Sequence, residues 1–185
     1  MRKILLGALF LAGTAGSAMA AEAIKYNYFE LGYNYLDLSG SNHADGFYVD
    51  GAFDLSRHFY LGGYYSDLSP NRGRGGLDRY GAKLGFHTGL TGITDFYSEL
   101  KLGQFESRFD DSFSYGAFVG TRTTFNPHFE LITKAGYTEV DKANDGYFEA
   151  GVKGLFKISR AHAFTAEFES LDGDLGANVG FRFMF

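Results

Sequence analysis

At 185 residues the chain has the size of one domain. It holds 20 Phe, 13 Tyr and 26 Gly against two Pro and no cysteine, which excludes a disulfide-stapled secreted domain and a lipid-anchored lipoprotein. Its 17 basic and 22 acidic side chains leave a formal charge of −5, the wrong sign for a nucleic-acid partner.

The first twenty residues have the layout of a secretory signal peptide. A basic start (Met1-Arg2-Lys3) precedes an apolar run from Ile4 to Ala12 and a small-residue stretch ending in Ala18-Met19-Ala20, with cleavage expected after Ala20. The apolar run falls short of the roughly 20 residues that a spanning helix needs. The expected organisation is therefore a signal peptide over 1–20 and one domain over 21–185. That domain carries 15 basic and 22 acidic side chains, a formal charge of −7. No later segment has the character of a transmembrane helix.

From Tyr26 onward apolar and polar residues alternate strictly, the period of a strand with one face in each environment. In Tyr26–Leu38, Phe29, Leu31, Tyr33 and Tyr35 share one face, and Glu30, Gly32 and Asn34 share the other. The same pattern runs through 46–55, 58–67, 78–88, 95–105, 113–125, 129–140, 146–158, 163–171 and 175–185. This predicts ten strands, each near the length that a tilted strand needs to cross a bilayer. Eight strands remain the alternative if two of these segments belong to loops. An even number returns both termini to one side.

Tight links are expected at Ser56-Arg57, Asn126 to His128 and Ser159 to His162, with a longer one at Gly89 to Thr94. At the other end, polar stretches over 39–45, 68–77, 106–112 and 141–145 predict longer loops, the asymmetry of outer-membrane barrels. Pro70 and Pro127 are expected in connections, where a missing N–H breaks no ladder. Phe59, Phe96, Phe129 and Phe164 recur once per hairpin, as do the pairs Gly81/Gly85, Gly116/Gly120 and Gly176/Gly180, so the repeat unit is one hairpin added around a ring.

Alternation also fits a soluble secreted barrel with its apolar face inward. Three features favour the inverted, membrane form. Glycines crowd the polar face (Gly32, Gly81, Gly85, Gly116, Gly120, Gly136, Gly176, Gly180), where they suit a narrow, curved lumen. Tyr and Phe gather near strand ends on the apolar face, as interfacial girdles do. The chain finishes on Val179, Phe181, Phe183 and Phe185, one apolar face held to the last residue. An open apolar edge invites aggregation, and pairing the last strand with the first would remove it. Such a terminus also resembles the signal by which the barrel-assembly machinery recognises its clients. The expected fold is all-β: a closed antiparallel up-and-down transmembrane β-barrel.

The segments Tyr26–Leu38, Gly76–Thr88, Phe125–Asp141 and Val179–Phe185 resemble the small proteobacterial outer-membrane barrels once described as a quorum-factor family, part of the porin-like barrels. The resemblance covers nearly all of 21–185 and concerns the barrel rather than any chemistry. It implies a Gram-negative outer-membrane location, with outer-membrane lipids, lipopolysaccharide and the assembly machinery as partners.

With the apolar face toward lipid, the remaining charges point inward. The register places Arg79, Lys83, Lys101, Arg122, Lys134, Lys153, Lys157 and Arg182 in the lumen, with Glu30, Asp50, Asp54, Glu99, Glu130, Glu149, Glu167 and Glu169. Near-neutral balance allows pairing, and unpaired buried charge is costly. A lumen closed by ion pairs is the leading expectation, and a narrow channel the alternative. The five histidines lie apart, three of them in turns, without the cysteines or close pairs of a zinc site. Ser41, His43 and Asp45 are adjacent in the expected first loop, a poor arrangement for a nucleophile, a base and an orienting group, which leaves a lipid-modifying enzyme or protease of the outer membrane as the third reading. Loop carboxylates (Asp45, Glu106, Asp110, Asp111, Asp141, Asp145, Asp172, Asp174) and Arg72, Arg74 and Arg108 read first as solvated loop charge; the alternative is that the arginines grip lipopolysaccharide phosphates and the carboxylates share divalent cations with it. No catalytic residue, metal or cofactor is expected, and the barrel is expected to be a monomer.

Overall fold

The alternation is carried by ten strands in the computed structural model, which describes residues 24–38, 42–71, 76–107, 111–141 and 146–185. They are β1 (Tyr28–Leu38), β2 (Asn42–Asp54), β3 (Phe59–Pro70), β4 (Leu77–Gly89), β5 (Thr94–Ser107), β6 (Asp111–Asn126), β7 (Phe129–Val140), β8 (Tyr147–Lys157), β9 (His162–Leu171) and β10 (Asp174–Met184). Each pairs antiparallel with its sequence neighbour, and β1 pairs with β10, giving a closed barrel of ten strands rather than eight. The expected signal peptide, with Ala18 and Ala20, lies outside the described residues.

Closure follows from the residues at the two ends of the chain. The β1–β10 ladder runs in register from Tyr28↔Met184 through Glu30↔Arg182 and Gly32↔Gly180 to Asp37↔Leu175. From Phe29↔Phe183 to Asn34↔Asn178 polar meets polar and apolar meets apolar, so both strands keep one face for lipid and one for the lumen, and the rung Asp37↔Leu175 at the rim mixes the two. Phe185 extends the seam, its backbone N–H donating to the Asn27 carbonyl at 3.3 Å. No sheet edge remains to expose backbone N–H or C=O groups to hydrocarbon.

The outer wall is apolar. Leu100, Phe164, Phe168, Leu175 and Val179 are more than half exposed, as are many of their outward neighbours. A surface of this kind would aggregate in water, and against acyl chains it is at home.

The inner wall is crowded. Tyr48, Tyr60, Tyr97 and Phe118 are buried on the lumen side, and glycines on neighbouring strands make room for their rings. A Cβ at Gly85 would fall inside the Tyr60 ring, one at Gly120 against Tyr97, and one at Gly136 against Phe118. The inward glycines are therefore seats for inward aromatics. Alternation with an apolar outer face places the aromatics on the outer wall; this second, inward set departs from that expectation.

The connections differ from expectation at one end. The strands consume most of the polar stretches expected as long loops: β2 begins at Asn42, β3 runs to Pro70, β5 runs to Ser107 and β6 begins at Asp111. Asp45, Glu106, Asp111 and Asp174 are thus strand residues, and His43 is one too. Polar residues continue a strand here because its rim leaves the apolar zone and ladder bonds still pair its backbone. Pro70 ends β3 rather than lying in a connection. Asn71 supplies the next ladder bond, to the His43 carbonyl at 2.9 Å, and β4 begins opposite Leu68, so Pro70 sits past the last β3–β4 pair and its missing N–H breaks none of the described ladder bonds. The β9–β10 turn is Asp172-Gly173, with φ of 50° and 102°, the two left-handed residues of a two-residue hairpin turn.

Gly85→Ala is expected to destabilise the barrel by about 2 kcal/mol, because the methyl group must displace the Tyr60 ring. Equilibrium unfolding in urea, with the protein in lipid vesicles, measures this as a lowered midpoint.

Candidate functional site: the charged lumen

Every second residue of a strand faces inward, so each strand delivers its charges to the lumen at fixed heights. Glu30 on β1 is fully buried. Its carboxylate accepts hydrogen bonds from Arg182 Nε at 2.6 Å, Lys153 Nζ at 3.1 Å, the Tyr48 hydroxyl at 2.6 Å and the Thr165 hydroxyl at 3.2 Å. These donors come from β10, β8, β2 and β9, so one carboxylate ties five of the ten strands together.

The other groups extend outward from this centre. Lys153 also reaches Glu167 at 2.9 Å, and Lys134 bridges Glu167 at 2.8 Å and Glu169 at 2.7 Å. On the other side of Glu30, Lys83 of β4 pairs with Asp50 of β2 at 2.6 Å and donates to the Tyr28 hydroxyl at 3.0 Å, while Tyr28 itself donates to Asp50. Nearer the end that holds both termini, Arg122 pairs with Glu130 at 2.7 Å, and Lys157 pairs with Glu130 as well. Lys101 stands 3.5 Å from Glu99, with its ammonium 4.2 Å from the Phe118 ring centroid, a cation–π contact.

Arg79 has a different role. Its guanidinium donates to the Tyr147 hydroxyl at 2.9 Å and lies 4.0 Å from Glu149, both on β8. Arg79 is on β4, four strands away, so this bond crosses the bore near the end opposite the termini. It is a strut rather than a wall contact.

All sixteen charges assigned inward by the register lie on the inner face. Fifteen stand in the pairs just described, and Asp54 sits apart, 4.0 Å from His87. Sequence reasoning overlooked Asp95, 3.2 Å from His87, and the lumen tyrosines 26, 28, 48, 60, 64, 97 and 147. The aromatic doublets Phe47-Tyr48, Phe59-Tyr60, Tyr64-Tyr65 and Phe96-Tyr97 carried the missing signal. Adjacent strand residues face opposite ways, so one member of each doublet must point inward.

The outward candidates do not converge. His43 lies on the outside of the wall, stacked on Tyr35 at 5.3 Å and 4.0 Å from Asp45; Ser41 is outside the described residues, as are Arg72, Arg74, Arg108, Asp110 and Asp145. Among the described residues, no three His, Asp or Glu side chains are grouped to hold a metal ion.

No family model matches the chain, and no curated protein matches its sequence. Solved structures do match its fold. The chain is similar to the KdgM porin, with a TM-score of 0.52 and 10% identity over 85% of this chain and 99% of that one. The same porin in complex with disordered oligogalacturonate matches with a TM-score of 0.50 and 10% identity, over 84% and 99% of the two chains. NanC porin gives a TM-score of 0.46 and 11% identity, over 86% of this chain and all of that one. At these identities the likeness concerns the fold, which is that of outer-membrane porin barrels.

Glu30→Gln leaves Arg182 and Lys153 facing a neutral group in a buried site, at an expected cost of about 3 kcal/mol. Adding Lys153→Met is expected to recover part of that loss. Urea midpoints of the single and double variants check both.

Proposed function

We propose that this chain is a non-enzymatic outer-membrane barrel whose lumen is a narrow conduit for small ions and solutes. One observation carries the reading: a single cavity of about 210 Å³ is lined by residues from both ends of the barrel, from Asn34, Ser66 and Arg79 to Tyr26 and Arg122. The paired charges along it leave the lumen close to neutral. Selectivity between anions and cations is therefore weak, and a polyanion such as the oligogalacturonate held by KdgM has no surplus of positive charge to follow here. The Arg79–Tyr147 strut sets the constriction at one end.

The outward Val179, Phe183 and Phe185, with Phe181, serve on this reading as the signal to the barrel-assembly machinery. Outer-membrane lipids and lipopolysaccharide surround the apolar wall and its acidic rim. The resemblance to the barrels once described as a quorum-factor family agrees with this architecture and adds no activity to it.

The refolded barrel is expected to give small, stable, salt-dependent current steps in planar bilayers at about pH 8. Arg79→Ala, which removes the strut, is expected to raise their size about twofold. Silence from both proteins, with folding verified by heat-modified gel migration, would overturn the conduit and leave a sealed envelope barrel.

Phe185→Asp is expected to lower the folded, heat-modifiable fraction recovered from outer membranes severalfold. Normal insertion would remove the assembly role.

A further inference from the structure

The four residues before β1 do not trail away from the barrel. Ile24 to Asn27 cross its mouth at the end that holds both termini. The Lys25 carbonyl accepts a hydrogen bond of 2.7 Å from Arg122 Nη1 on β6, five strands from β1 and on the facing wall of a ten-strand ring. Tyr26 is 5% exposed, its ring stacked on Tyr60 at 4.6 Å and 12° and tilted against His87 at 4.3 Å. The Arg122 guanidinium lies 5.2 Å from the same ring. At the β1 side the segment is pinned to the end of β2: Tyr26 N–H donates to Asp54 Oδ2 at 3.2 Å, and Asp54 N–H donates to Asn27 Oδ1 at 2.6 Å.

Beneath this bar lies an incomplete polar cluster. His87 Nδ1 is 3.2 Å from Asp95, while its Nε2 is buried without a hydrogen-bond partner. Asp54 Oδ1, 4.0 Å from that nitrogen, is buried and unpartnered too, as is the Tyr26 hydroxyl. Unsatisfied buried polar atoms are costly and call for an explanation. A proton supplies one. Neutral imidazole can serve only one of its two carboxylates as a donor, whereas imidazolium carries an N–H toward each, toward Asp95 at 3.2 Å and toward Asp54 at 4.0 Å, and presents a cation to the Tyr26 ring.

We propose that residues 24–27 form a proton-sensitive gate over this mouth of the lumen, closed more firmly when His87 is protonated. The charged and titratable groups facing His87 are Asp54 from β2, His58 from the β2–β3 turn at 6.4 Å, Tyr60 from β3, Asp95 from β5 and Tyr26 from the gate, with Arg122 of β6 across the Tyr26 ring. A proton on His87 puts a cation between the Asp54 and Asp95 carboxylates and against the Tyr26 ring, so acid tightens the gate. Neutralising His87 loosens the bar, which then swings on its Asp54 pin. The gate's effect on passage rests on the conduit reading; its movement does not.

The chain contains no Trp and no Cys, so one substitution gives a reporter without background. Tyr26→Trp in the full barrel, in vesicles, is expected to be quenched by acrylamide about fivefold more strongly at about pH 8 than at about pH 5. His87→Gln in that background is expected to abolish the pH dependence, His58→Gln to keep it, and Arg122→Gln to raise quenching at both pH values. Should the tryptophan variant not refold, a nitroxide on Lys25→Cys, an exposed side chain, reports the same motion as a narrowing of its line width at the higher pH. Quenching or line width that is the same at both pH values, or a pH dependence that survives His87→Gln, would overturn the gate. Parallel bilayer recordings separate the two readings. A moving reporter with silent bilayers defeats the conduit and keeps the gate. Currents that respond to pH while the reporter stays still defeat the gate and keep the conduit.

Discussion

The ladder between β1 and β10 is the constraint on which the rest of this structure depends. A membrane offers no hydrogen bonds to an open edge, so a sheet there either closes or fails. Closure fixes the register of the seam, and the register fixes which residues face lipid on the other eight strands. The most buried charge of the lumen sits on this seam: Glu30 stands opposite Arg182. The backbone ladder and the ionic network therefore meet at one rung, and each holds the other in place.

Inside the ring, two kinds of filling share the space. Ion pairs satisfy charges that would otherwise be stranded, and aromatic rings lie over glycines that leave them room. The second device sets the bore. A tyrosine lying flat along the wall narrows the lumen less than one projecting across it, and a neighbouring strand must give up its Cβ to allow that pose. Among the described residues, the Arg79–Tyr147 strut and the Lys25–Arg122 bar reach four and five strands across, one near each end of the barrel.

The strands and the inner face were legible in the sequence because a period of two has a single reading once one side meets lipid. Glu30, Arg182 and their partners fall on the parity opposite Phe29, Leu31, Phe181 and Phe183. Partner choice was not legible: Glu30 faces Asp50 as well as Arg182 across its rung, and only the curvature of the ring brings Lys153 to it from three strands away. Asn, Asp, Ser and Gly are turn formers by propensity, so the rim stretches read as loops; the ladder overrides that preference at Asn42, Ser69 and Asp111. The role of Ile24 to Asn27 was not legible: the alternation reads Tyr26 and Asn27 as the start of a strand, whereas β1 begins at Tyr28 and these residues leave the sheet to span the mouth.

The Glu30–Arg182 pair joins residues 152 positions apart. Nearly the whole chain must be threaded into place before its first strand meets its last, and contacts of that separation are the slowest to form. Until then Glu30 keeps its own shell of water, and an incomplete sheet carries a hydrated stripe down the strand meant to complete it. An arc of nine strands is thus both edge-exposed and wet at its seam, poorly suited to linger in hydrocarbon. The first carboxylate of the barrel marks off finished rings from unfinished ones.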